Sequence, residues 1–540
     1  MDNRIDLLTI NVFKGQYILN VGDMCAEYLL GVDIGTAGTK AALFDLDGNQ
    51  LAVAYEESRL YFPRVGWVEQ NPEDFYNSTI NTIRRVVNTA QIDPNEIASC
   101  AFSGQMAGIL AIDKDWKPVM PYDSWLDIRC KDYINYLKNN FEELLIQSTG
   151  SPPTVNHLPK MIWWKNERPD VFSRICRFTV PAVYVAGKLA GLKGDDAFYD
   201  YTYVTFTGLF DVHRSDWSGE LAETFQIPLD KMPRIVKPWE IIGELTSEEA
   251  EKTGLARGIP IVAGAGDGVA CAFGAGLTRP GLCLDIAGTA SAFYVSTDTV
   301  VPDNRHKTLL YLKSVVPGLW SVGAYINGGG LCLRWFRDEI AVEFKKRAQE
   351  QGLDTYSLLD AEAAKIRPGS EGVMFIPHMG GRAYPYNPKL RGTWLGFTWR
   401  STLALLYRSI LEAIAYEYNH YLRIIKETFS SIQFDEVRGI GGGSKSDIWN
   451  KIKADVLGIP YSLLNREEYA VTALAIIGGY GVGVLTDLVE TVNKWVQPVR
   501  RFTSDIENHK LYMKYVDFYE KLLHSLDSIY EGRMLLIEEY

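Results

Sequence analysis

Four glycine-rich turns are the features of this sequence best suited to holding phosphate. They lie at 35–38, 288–289, 328–330 and 441–444, and each follows an apolar run. Glycine lets successive backbone N–H groups point into one concavity, which suits phosphate oxygens. A tight turn explains any single one of them, but the set of four favours a nucleotide cleft. None has the spacing of the P-loop or of the dinucleotide-binding fingerprint, so neither of those sites is indicated.

Polar side chains accompany the first and last of these turns. Asp33 beside Thr36 can hold a hydrated Mg²⁺, because Mg²⁺ prefers one or two carboxylates together with water and phosphate. Lys40 either approaches a phosphate or is a solvated strand residue. The last turn precedes a predicted helix over 446–456, whose free N–H groups can accept polar groups of a nucleotide. Asp447 there either contacts the adenosine end or is an ordinary acid of the first helical turn.

A single acid, Asp267, lies within a run of small apolar residues over 263–272. Partial desolvation would raise its pKa towards the range that suits a proton acceptor. The same residue precedes a run that can begin a helix, so it also fits a helix N-cap. The two roles are compatible, and the residues alone leave both open.

The elements around these residues follow an α/β pattern. Apolar runs predict strands at 28–32, 41–45, 50–55, 97–102 and 109–113, and Asn71-Pro72 opens a predicted helix over 72–89. A second unit begins near residue 279, where Asp-Ile-Ala-Gly-Thr at 285–289 echoes Asp-Ile-Gly-Thr at 33–36. The echo and the shared pattern predict two related lobes that face each other across a cleft.

Composition limits the class of protein. The 540 residues predict two large domains, and the net charge of −12 argues against nucleic-acid or anionic-membrane partners. The seven cysteines occur singly, which fits a reducing compartment, so we expect a cytoplasmic protein. No signal peptide or membrane span is predicted. Residues 1–27 differ in character from the rest of the chain, and Met24 is an alternative start.

Several separate stretches together resemble the FGGY carbohydrate kinases, and xylulokinase is the subfamily they look closest to. The resemblance covers about residues 28–500. It rests on Gly-Val-Asp-Ile-Gly-Thr-Ala-Gly-Thr-Lys at 31–40, Trp-Val-Glu-Gln-Asn-Pro-Glu-Asp-Phe-Tyr at 67–76, Ala-Gly-Ala-Gly-Asp-Gly at 263–268, Ile-Ala-Gly-Thr at 286–289 and Gly-Gly-Gly-Ser at 441–444. It implies a duplicated actin-like (ribonuclease-H-like) ATPase fold, with two lobes around a central cleft. It also implies ATP and Mg²⁺ as cofactors, a small sugar or polyol substrate, and a homodimer as an open alternative.

Carried over residue by residue, the resemblance implies roles in the site. Asp267 matches the catalytic base, and Asp33 matches the metal ligand. Positions that match contacts to ATP and its phosphates are Asp33, Gly35, Thr36, Lys40, Gly288, Thr289, Gly330, Gly442, Gly443, Ser444 and Asp447. Positions that match the sugar site are Gln105, Met106, Trp125, Asp127, Arg129 and Asp267. Without the resemblance, Trp125 reads equally well as a buried core residue, and Asp127 with Arg129 as a surface pair.

The resemblance implies the two central regions of the chain, and the character of the sequence outside it predicts one further region at each end. Residues 1–27 form an N-terminal extension, and 28–277 form an N-terminal lobe with the sugar site, the phosphate loop and the catalytic aspartate. Residues 278–500 form a C-terminal lobe with the ATP site, and 501–540 form a C-terminal helical segment.

Two departures from the family pattern bear on the substrate. Xylulokinases usually have Gln-Met-His-Gly where this chain has Gln-Met-Ala-Gly at 105–108, and the Arg-Glu pair of glycerol kinases is absent. The Gly-Glu-Arg-Thr-Pro stretch of the family appears as Gly-Gly-Arg-Ala-Tyr-Pro at 380–385.

From the resemblance we expect an ATP-dependent kinase that phosphorylates a hydroxyl of a small ketose or polyol. The alternative is a related kinase for another ketose, polyol or aldonate, such as ribulose, glycerol or gluconate.

Two other classes of protein are less favoured. A non-catalytic sugar sensor would be expected to lack one of the key acids, yet Asp33 and Asp267 are both present. A chaperone-type ATPase of the same fold would need a β-rich peptide-binding module, and none follows the second predicted lobe.

Overall fold

The computed structural model describes residues 11–13, 16–18 and 26–538. Apart from two short strands, the expected N-terminal extension and the alternative start at Met24 lie outside the described residues.

The first half of the described chain is a mixed α/β assembly. Its strands are β1 Asn11–Phe13, β2 Gln16–Ile18, β3 Tyr28–Ile34, β4 Gly38–Asp45, β5 Gln50–Glu57, β6 Glu69–Gln70, β7 Ile97–Gly104, β8 Leu110–Ile112, β9 Tyr122–Asp123, β10 Arg177–Thr179, β11 Phe198–Asp200, β12 Phe210–Asp211, β13 Asp216–Trp217, β14 Arg234–Val236, β15 Ile241–Glu244 and β16 Pro260–Gly266. Its α-helices are α1 Pro72–Ala90, α2 Lys131–Thr149, α3 His157–Glu167, α4 Pro169–Phe172, α5 Pro181–Leu189, α6 Gly219–Phe225, α7 Ser247–Thr253 and α8 Asp267–Gly274.

The second half repeats the mixture. Its strands are β17 Leu282–Ala287, β18 Ser291–Thr297, β19 Leu310–Lys313, β20 Trp320–Ile326, β21 Met374–Ile376, β22 Thr393–Leu395, β23 Glu436–Ile440, β24 Tyr461–Leu464 and β25 Pro498–Phe502. Its α-helices are α9 Gly329–Trp335, α10 Val342–Gln351, α11 Thr355–Ala363, α12 Leu403–Thr428, α13 Asp447–Leu457, α14 Tyr469–Gly481, α15 Leu488–Trp495 and α16 Ile506–Glu538.

The strand order confirms the duplication that the sequence echo suggested. The first large sheet runs β5-β4-β3-β7-β16-β15, and its successive pairs are antiparallel, antiparallel, parallel, parallel and antiparallel. The second runs β20-β18-β17-β23-β24-β25 with the same succession of directions, and β19 is added beside β20. Six strands have the same order and the same relative directions in both sheets, which establishes two related lobes.

Local sequence signals account for the helix that comes after the first three strands of the sheet. The Asn71 side chain accepts a hydrogen bond from the backbone N–H of Glu73 at 3.1 Å, and Pro72 occupies the first helical position. The apolar face of α1, which includes Phe75 and Ile83, is buried against β4 and β5. The expected helix is therefore present with its expected cap.

The two lobes are joined by a helix from the second half of the chain. Helix α14 packs against β3 and α8 of the first lobe. The approach is close, because a Cβ at Gly31 would lie 2.6 Å from the carbonyl oxygen of Val471. Helix α14, from the second half of the chain, therefore supports β3 and α8, which carry residues of the first lobe.

Two helix boundaries differ from the sequence expectation. The helix expected from 446 begins at Asp447, and Ser446 is its N-cap. The helix expected from Arg501 begins at Ile506, because residues 498–502 instead pair with β24 as an edge strand. No helix in the described part of the chain has the length and apolarity needed to cross a bilayer.

Candidate active site

A hydrogen-bonded platform at the ends of β3 and β7 brings together four polar side chains. The Thr36 hydroxyl donates to Gln105 Oε1 at 2.9 Å and accepts from Trp125 Nε1 at 2.8 Å. Gln105 Nε2 donates to Gln70 Oε1 at 2.9 Å. Trp125 is only half-buried, so it is not a core tryptophan, and its ring borders the polar platform.

Met106 forms the floor beside this platform. Its side chain is 5 % exposed and lies under the end of β16, where a Cβ on Gly266 would approach it to 2.6 Å. The Met106 carbonyl is bonded to Nε2 of His157 at 2.6 Å. Burial lowers the pKa of His157 to about 4, so this histidine is neutral and structural at pH 7.

Two carboxylates lie at strand ends on either side of β7, Asp33 on β3 and Asp267 after β16, at the start of α8. Asp267 is the first residue of its helix, and Gly266 is the N-cap, so the expectation of an N-cap at Asp267 is wrong. Its Oδ1 accepts the backbone N–H of Gly268 at 2.7 Å. Burial, with a contribution from the negative charge of Asp33, raises the pKa of Asp267 to about 7. A carboxylate in this state can accept a proton near neutral pH.

The Asp33 carboxylate is held at one oxygen. Ser103 donates to Asp33 Oδ1 at 2.5 Å, whereas no side chain in the described ranges donates to Oδ2. Burial raises the pKa of Asp33, while the Ser103 bond and the nearby Lys40 ammonium lower it. Lys40 itself pairs with Glu468 at 2.5 Å, so in this structure its charge is directed to a carboxylate of the second half.

Asp127 and Arg129 are a buried pair, so the alternative of a surface pair is wrong. Arg129 donates through Nε to Asp127 Oδ1 at 2.9 Å and through Nη2 to Asp127 Oδ2 at 2.7 Å. Nη2 also contacts Glu69 at 2.7 Å, and the guanidinium lies 3.8 Å from the ring centroid of Trp67. Nη1 is buried and has no partner among the described residues. The pair is thus rigid and carries one unused donor.

In the second lobe the glycine turns meet one another. A Cβ at Gly330 would lie 2.1 Å from the carbonyl oxygen of Gly288, and one at Gly441 would lie 2.8 Å from that of Ala287. Gly441 also has a φ of +85°, a conformation that favours glycine. The turns after β17, β20 and β23 therefore form one surface, on which Thr289 and Gly442 are exposed.

The remaining predicted residues lie at the edges of these two groups. Gly35 closes the first turn, with its N–H donating to the carbonyl of Gly38 at 3.0 Å. The Ser444 hydroxyl donates to the carbonyl of Gly441 at 2.7 Å, so it supports the turn in which Gly443 lies. Asp447 is exposed and accepts two hydrogen bonds from Arg500 at 2.7 Å each. The structure thus engages Asp447 in a surface pair.

Sequence reasoning missed four polar residues of the site. Gln70 and Glu69 lie in the stretch 67–76 that carried part of the family resemblance, so a signal for them was present. Ser103 lies directly after the apolar run at 97–102 and two residues before Gln105. Nothing in the sequence around Glu468 distinguishes it from an ordinary surface acid. Each of these four contacts a site residue that is distant along the chain. Their spacing in the sequence therefore does not show that they belong to the site.

Comparisons with known proteins agree with this arrangement. Residues 28–274 match the N-terminal domain of the FGGY family of carbohydrate kinases, and residues 284–481 match its C-terminal domain. Curated relatives include a gluconokinase from Bacillus subtilis (strain 168), 28% identical with coverage of 93% of this chain and 97% of the relative. They also include a xylulose kinase from Staphylococcus epidermidis, 26% identical with coverage of 92% and 97%.

The fold is shared with solved structures. The crystal structure of xylulose kinase from Rhodospirillum rubrum superposes with a TM-score of 0.83 at 26% identity, and the match covers 93% of this chain and 100% of that chain. Family domains that span both lobes, and sugar kinases of the same two-lobed form, establish the class of enzyme. The chain therefore belongs to the FGGY family of carbohydrate kinases, actin-like enzymes that transfer phosphate from ATP to an alcohol group.

Proposed function

We propose that the enzyme phosphorylates a hydroxyl of a neutral ketose or polyol, and that Asp267 is its general base. The observation that carries the proposal is the desolvated Asp267 carboxylate, with its pKa raised to about 7, in the lobe that holds the polar platform. The sugar site and the base are assigned to residues 28–277, and the nucleotide site to residues 278–500.

The proposed reaction is a direct transfer. The substrate hydroxyl attacks the γ-phosphorus of ATP, the bond from that phosphorus to the bridging oxygen breaks, and ADP leaves. The hydroxyl proton passes to the carboxylate of Asp267. Such a transfer needs positioning and charge neutralisation more than covalent chemistry. Gln105 and Trp125 would orient the sugar, with hydrogen bonds from the amide and stacking from the ring.

Asp33 fits a Mg²⁺ ligand. It offers one oxygen that no described side chain occupies, and it lies beside the glycine turn at 35–38. No cluster of three or more metal-binding side chains occurs among the described residues, which is consistent with an ion held mainly by water and phosphate. A bound Mg²⁺ would neutralise phosphate charge. Asp33 would position the ion, and Thr36 and Gly35 would face the transferred phosphate.

The glycine surface of the second lobe supports the nucleotide assignment. Gly288 and Gly330 bring backbone close together without side chains, and Gly442 presents backbone in open space beside them, which suits phosphates and the adenosine. Lys40 is proposed to exchange Glu468 for phosphate oxygen when ATP binds. Asp447, paired with Arg500 at the start of α13, borders this surface.

The charges near the platform favour a neutral substrate. The buried cations of this region are already paired, Arg129 with Asp127 and Glu69, and Lys160 with Asp123. Asp267 and Asp33 add negative charge. An aldonate is the second candidate, because a gluconokinase is among the relatives and Nη1 of Arg129 has no partner among the described residues. In the loop at 105–108, Ala107 leaves space where xylulokinases carry histidine, so D-xylulose should not lead by a wide margin.

A coupled ADP-release screen tests the proposal. Ketopentoses, ketohexoses, polyols and aldonates are compared by kcat/KM at a fixed ATP concentration, with ATP alone as the baseline. We expect a neutral ketose or polyol to be the best substrate. If D-gluconate or another aldonate is best, the neutral assignment is wrong, and Arg129→Lys should then reduce aldonate turnover more than ketose turnover.

A further inference from the structure

A turn outside the predicted site is bonded to both strands that carry its key residues. We propose that Thr202 and Tyr203, in the turn after β11, are positioning residues for phosphoryl transfer. They hold the backbone at the ends of β7 and β16, from which Gln105 and Asp267 extend. The inference rests on the proposed role of Asp267 as the general base.

Thr202 contacts the residue immediately before the proposed base. The backbone N–H of Gly266, the N-cap of α8, donates to the Thr202 hydroxyl oxygen at 2.8 Å. This is one of the N–H groups at a helix start that have no partner within the helix. Because Asp267 is the next residue, the bond fixes the point from which its side chain leaves the backbone.

Asp200 fixes the direction of that hydroxyl. Its Oδ1 accepts both the backbone N–H of Thr202 at 2.9 Å and the Thr202 hydroxyl at 2.5 Å. Asp200 is fully buried. Since the hydroxyl proton is committed to this carboxylate, only oxygen lone pairs are left to face Gly266. Asp200 therefore orients the Thr202 hydroxyl so that its oxygen can accept the hydrogen bond from the Gly266 N–H.

Tyr203 joins the two strands directly. Its fully buried hydroxyl lies 3.1 Å from the carbonyl oxygen of Gly104 and 3.4 Å from that of Ala265. Gly104 precedes Gln105, and Ala265 lies two residues before Asp267. One hydroxyl thus spans the ends of neighbouring parallel strands, so the sugar-binding amide and the base keep a fixed separation.

The strand ends need this support because their ladder is irregular. The register of β16 on β7 shifts between Val262 and Ala265, and Gly264 has a φ of +82°. A Cβ at Gly264 would lie 1.7 Å from the carbonyl oxygen of Phe102, so the strands are very close at the irregularity. Beyond it, pairing resumes over Ala265 and Gly266, and side-chain bonds from the 200–203 turn add a second constraint on where this short strand end lies.

Thr202→Val is the main test, because it keeps the shape of the side chain and removes the hydroxyl. A displacement of about 1 Å at a reacting group costs on the order of 10²-fold in rate, so we expect kcat to fall by roughly 10- to 100-fold. KM for ATP should stay within about twofold, since the nucleotide surface lies in the other lobe. Thr202→Ser restores the hydroxyl and should recover kcat to within about threefold of the wild type.

The matched control is Thr205→Val, in the neighbouring turn of the chain. Its hydroxyl is buried and has no partner in the part of the chain that the structure describes, so the same change should leave kcat unaltered. Tyr203→Phe is a second, independent variant and should lower kcat with KM for ATP unchanged. If circular dichroism shows that Thr202→Val does not fold, Tyr203→Phe serves as the test variant instead.

An Asp267→Asn background separates positioning from a general loss of structure. If Thr202 acts through Asp267, Thr202→Val should lower the residual turnover of Asp267→Asn by less than about threefold. An equal loss in both backgrounds overturns the proposal, as does a kcat of Thr202→Val or of Tyr203→Phe that matches the Thr205→Val control. Failure of the proposed function appears elsewhere, as near-normal turnover of Asp267→Asn alone.

Discussion

Replacement of Asp267 by asparagine keeps the size of the side chain and removes the proposed proton acceptor. Loss of a general base typically costs about 10²–10⁴ in rate, so turnover at saturating sugar should fall by that factor. ATP affinity, measured by calorimetry, should stay near the wild-type value because the glycine surface is untouched. Near-normal turnover would mean that another group accepts the proton. Asp33→Asn is the comparison variant: its loss of turnover should be partly rescued by raised Mg²⁺, and that of Asp267→Asn should not.

The raised pKa of Asp267 also predicts a pH-dependent stability. An acid whose folded-state pKa lies near 7, against 3.8 when unperturbed, destabilises the fold as pH rises from about 4 to 7. Above pH 7 the penalty is complete, and below about pH 4 it vanishes because both states are protonated. Asp267→Asn should therefore have a free energy of unfolding higher than that of the wild type at pH 8, by roughly 1–4 kcal/mol, and the gap should close towards pH 4. Thermal denaturation without Mg²⁺ measures it, and a gap independent of pH would contradict the desolvation of Asp267.

Gly442 allows a test of the nucleotide surface that does not disturb the fold. A Cβ added at Gly442 meets no atom within 4 Å, so Gly442→Ala should leave the melting temperature unchanged. If a nucleotide lies on this turn, the added methyl group should raise KM for ATP several-fold. Gly219→Ala is the control, since a Cβ there also meets nothing and the residue lies on α6. Equal KM values for ATP in the two variants would remove Gly442 from the nucleotide site.

The residues that sequence identified best are those whose local chemistry is unusual. A single acid in an apolar run pointed to Asp267, and glycine turns after strands pointed to Gly288 and Gly330. Burial of charged residues was not predictable, because nothing near Arg129 in the sequence shows that Glu69 lies against its guanidinium in the fold. Long-range pairing, not local pattern, decides such positions.

At the scale of elements, apolar runs and turn residues predicted the first strands and α1 closely. The echoed aspartates, however, lie in different surroundings. Asp33 is partly exposed, whereas Asp285 is fully buried, pairs with Lys453 and accepts hydrogen bonds from Tyr418 and Tyr461 at 2.7 Å each. Strand topology repeats in the two lobes, yet the helices packed on each sheet differ. The short echo between residues 33–36 and 285–289 gives no information about this difference in helix packing.

The C-terminal helix α16 is an integral part of the second lobe. Its Tyr512 and Tyr519 hydroxyls donate to the buried carboxylates of Glu412 at 2.8 Å and Glu417 at 2.7 Å, both on α12. A hydrogen bond to a charged, buried group contributes about 1.5–3 kcal/mol, so Tyr519→Phe should lower the free energy of unfolding by that amount. Lys521→Ala, at an exposed position of the same helix, should change it by less than about 0.5 kcal/mol. Urea denaturation compares the two variants, and equal values would show that the Tyr519 bond does not hold the helix.

At the scale of the whole molecule, the two halves touch on several sides of the cleft. Lys40 pairs with Glu468, Lys307 pairs with Glu142 at 2.5 Å, and Lys138 donates to the carbonyl of Tyr386 at 2.8 Å. The turns proposed to face phosphate come from both lobes. On this proposal, residues that must act on one phosphate are divided between the two lobes.

We therefore predict that the lobes close when sugar and nucleotide are both bound. Closure would bring Asp267 and the platform towards the glycine surface and exclude water, which limits hydrolysis of ATP without sugar. Small-angle scattering should show a smaller radius of gyration with the preferred sugar plus a non-hydrolysable ATP analogue than with the analogue alone. The Asp267→Asn variant should compact equally, because it retains the binding contacts and lacks only the proton acceptor. If the radius of gyration is unchanged when calorimetry shows both ligands bound, the lobes are already in their reactive arrangement, and protection from hydrolysis must come from the order of binding.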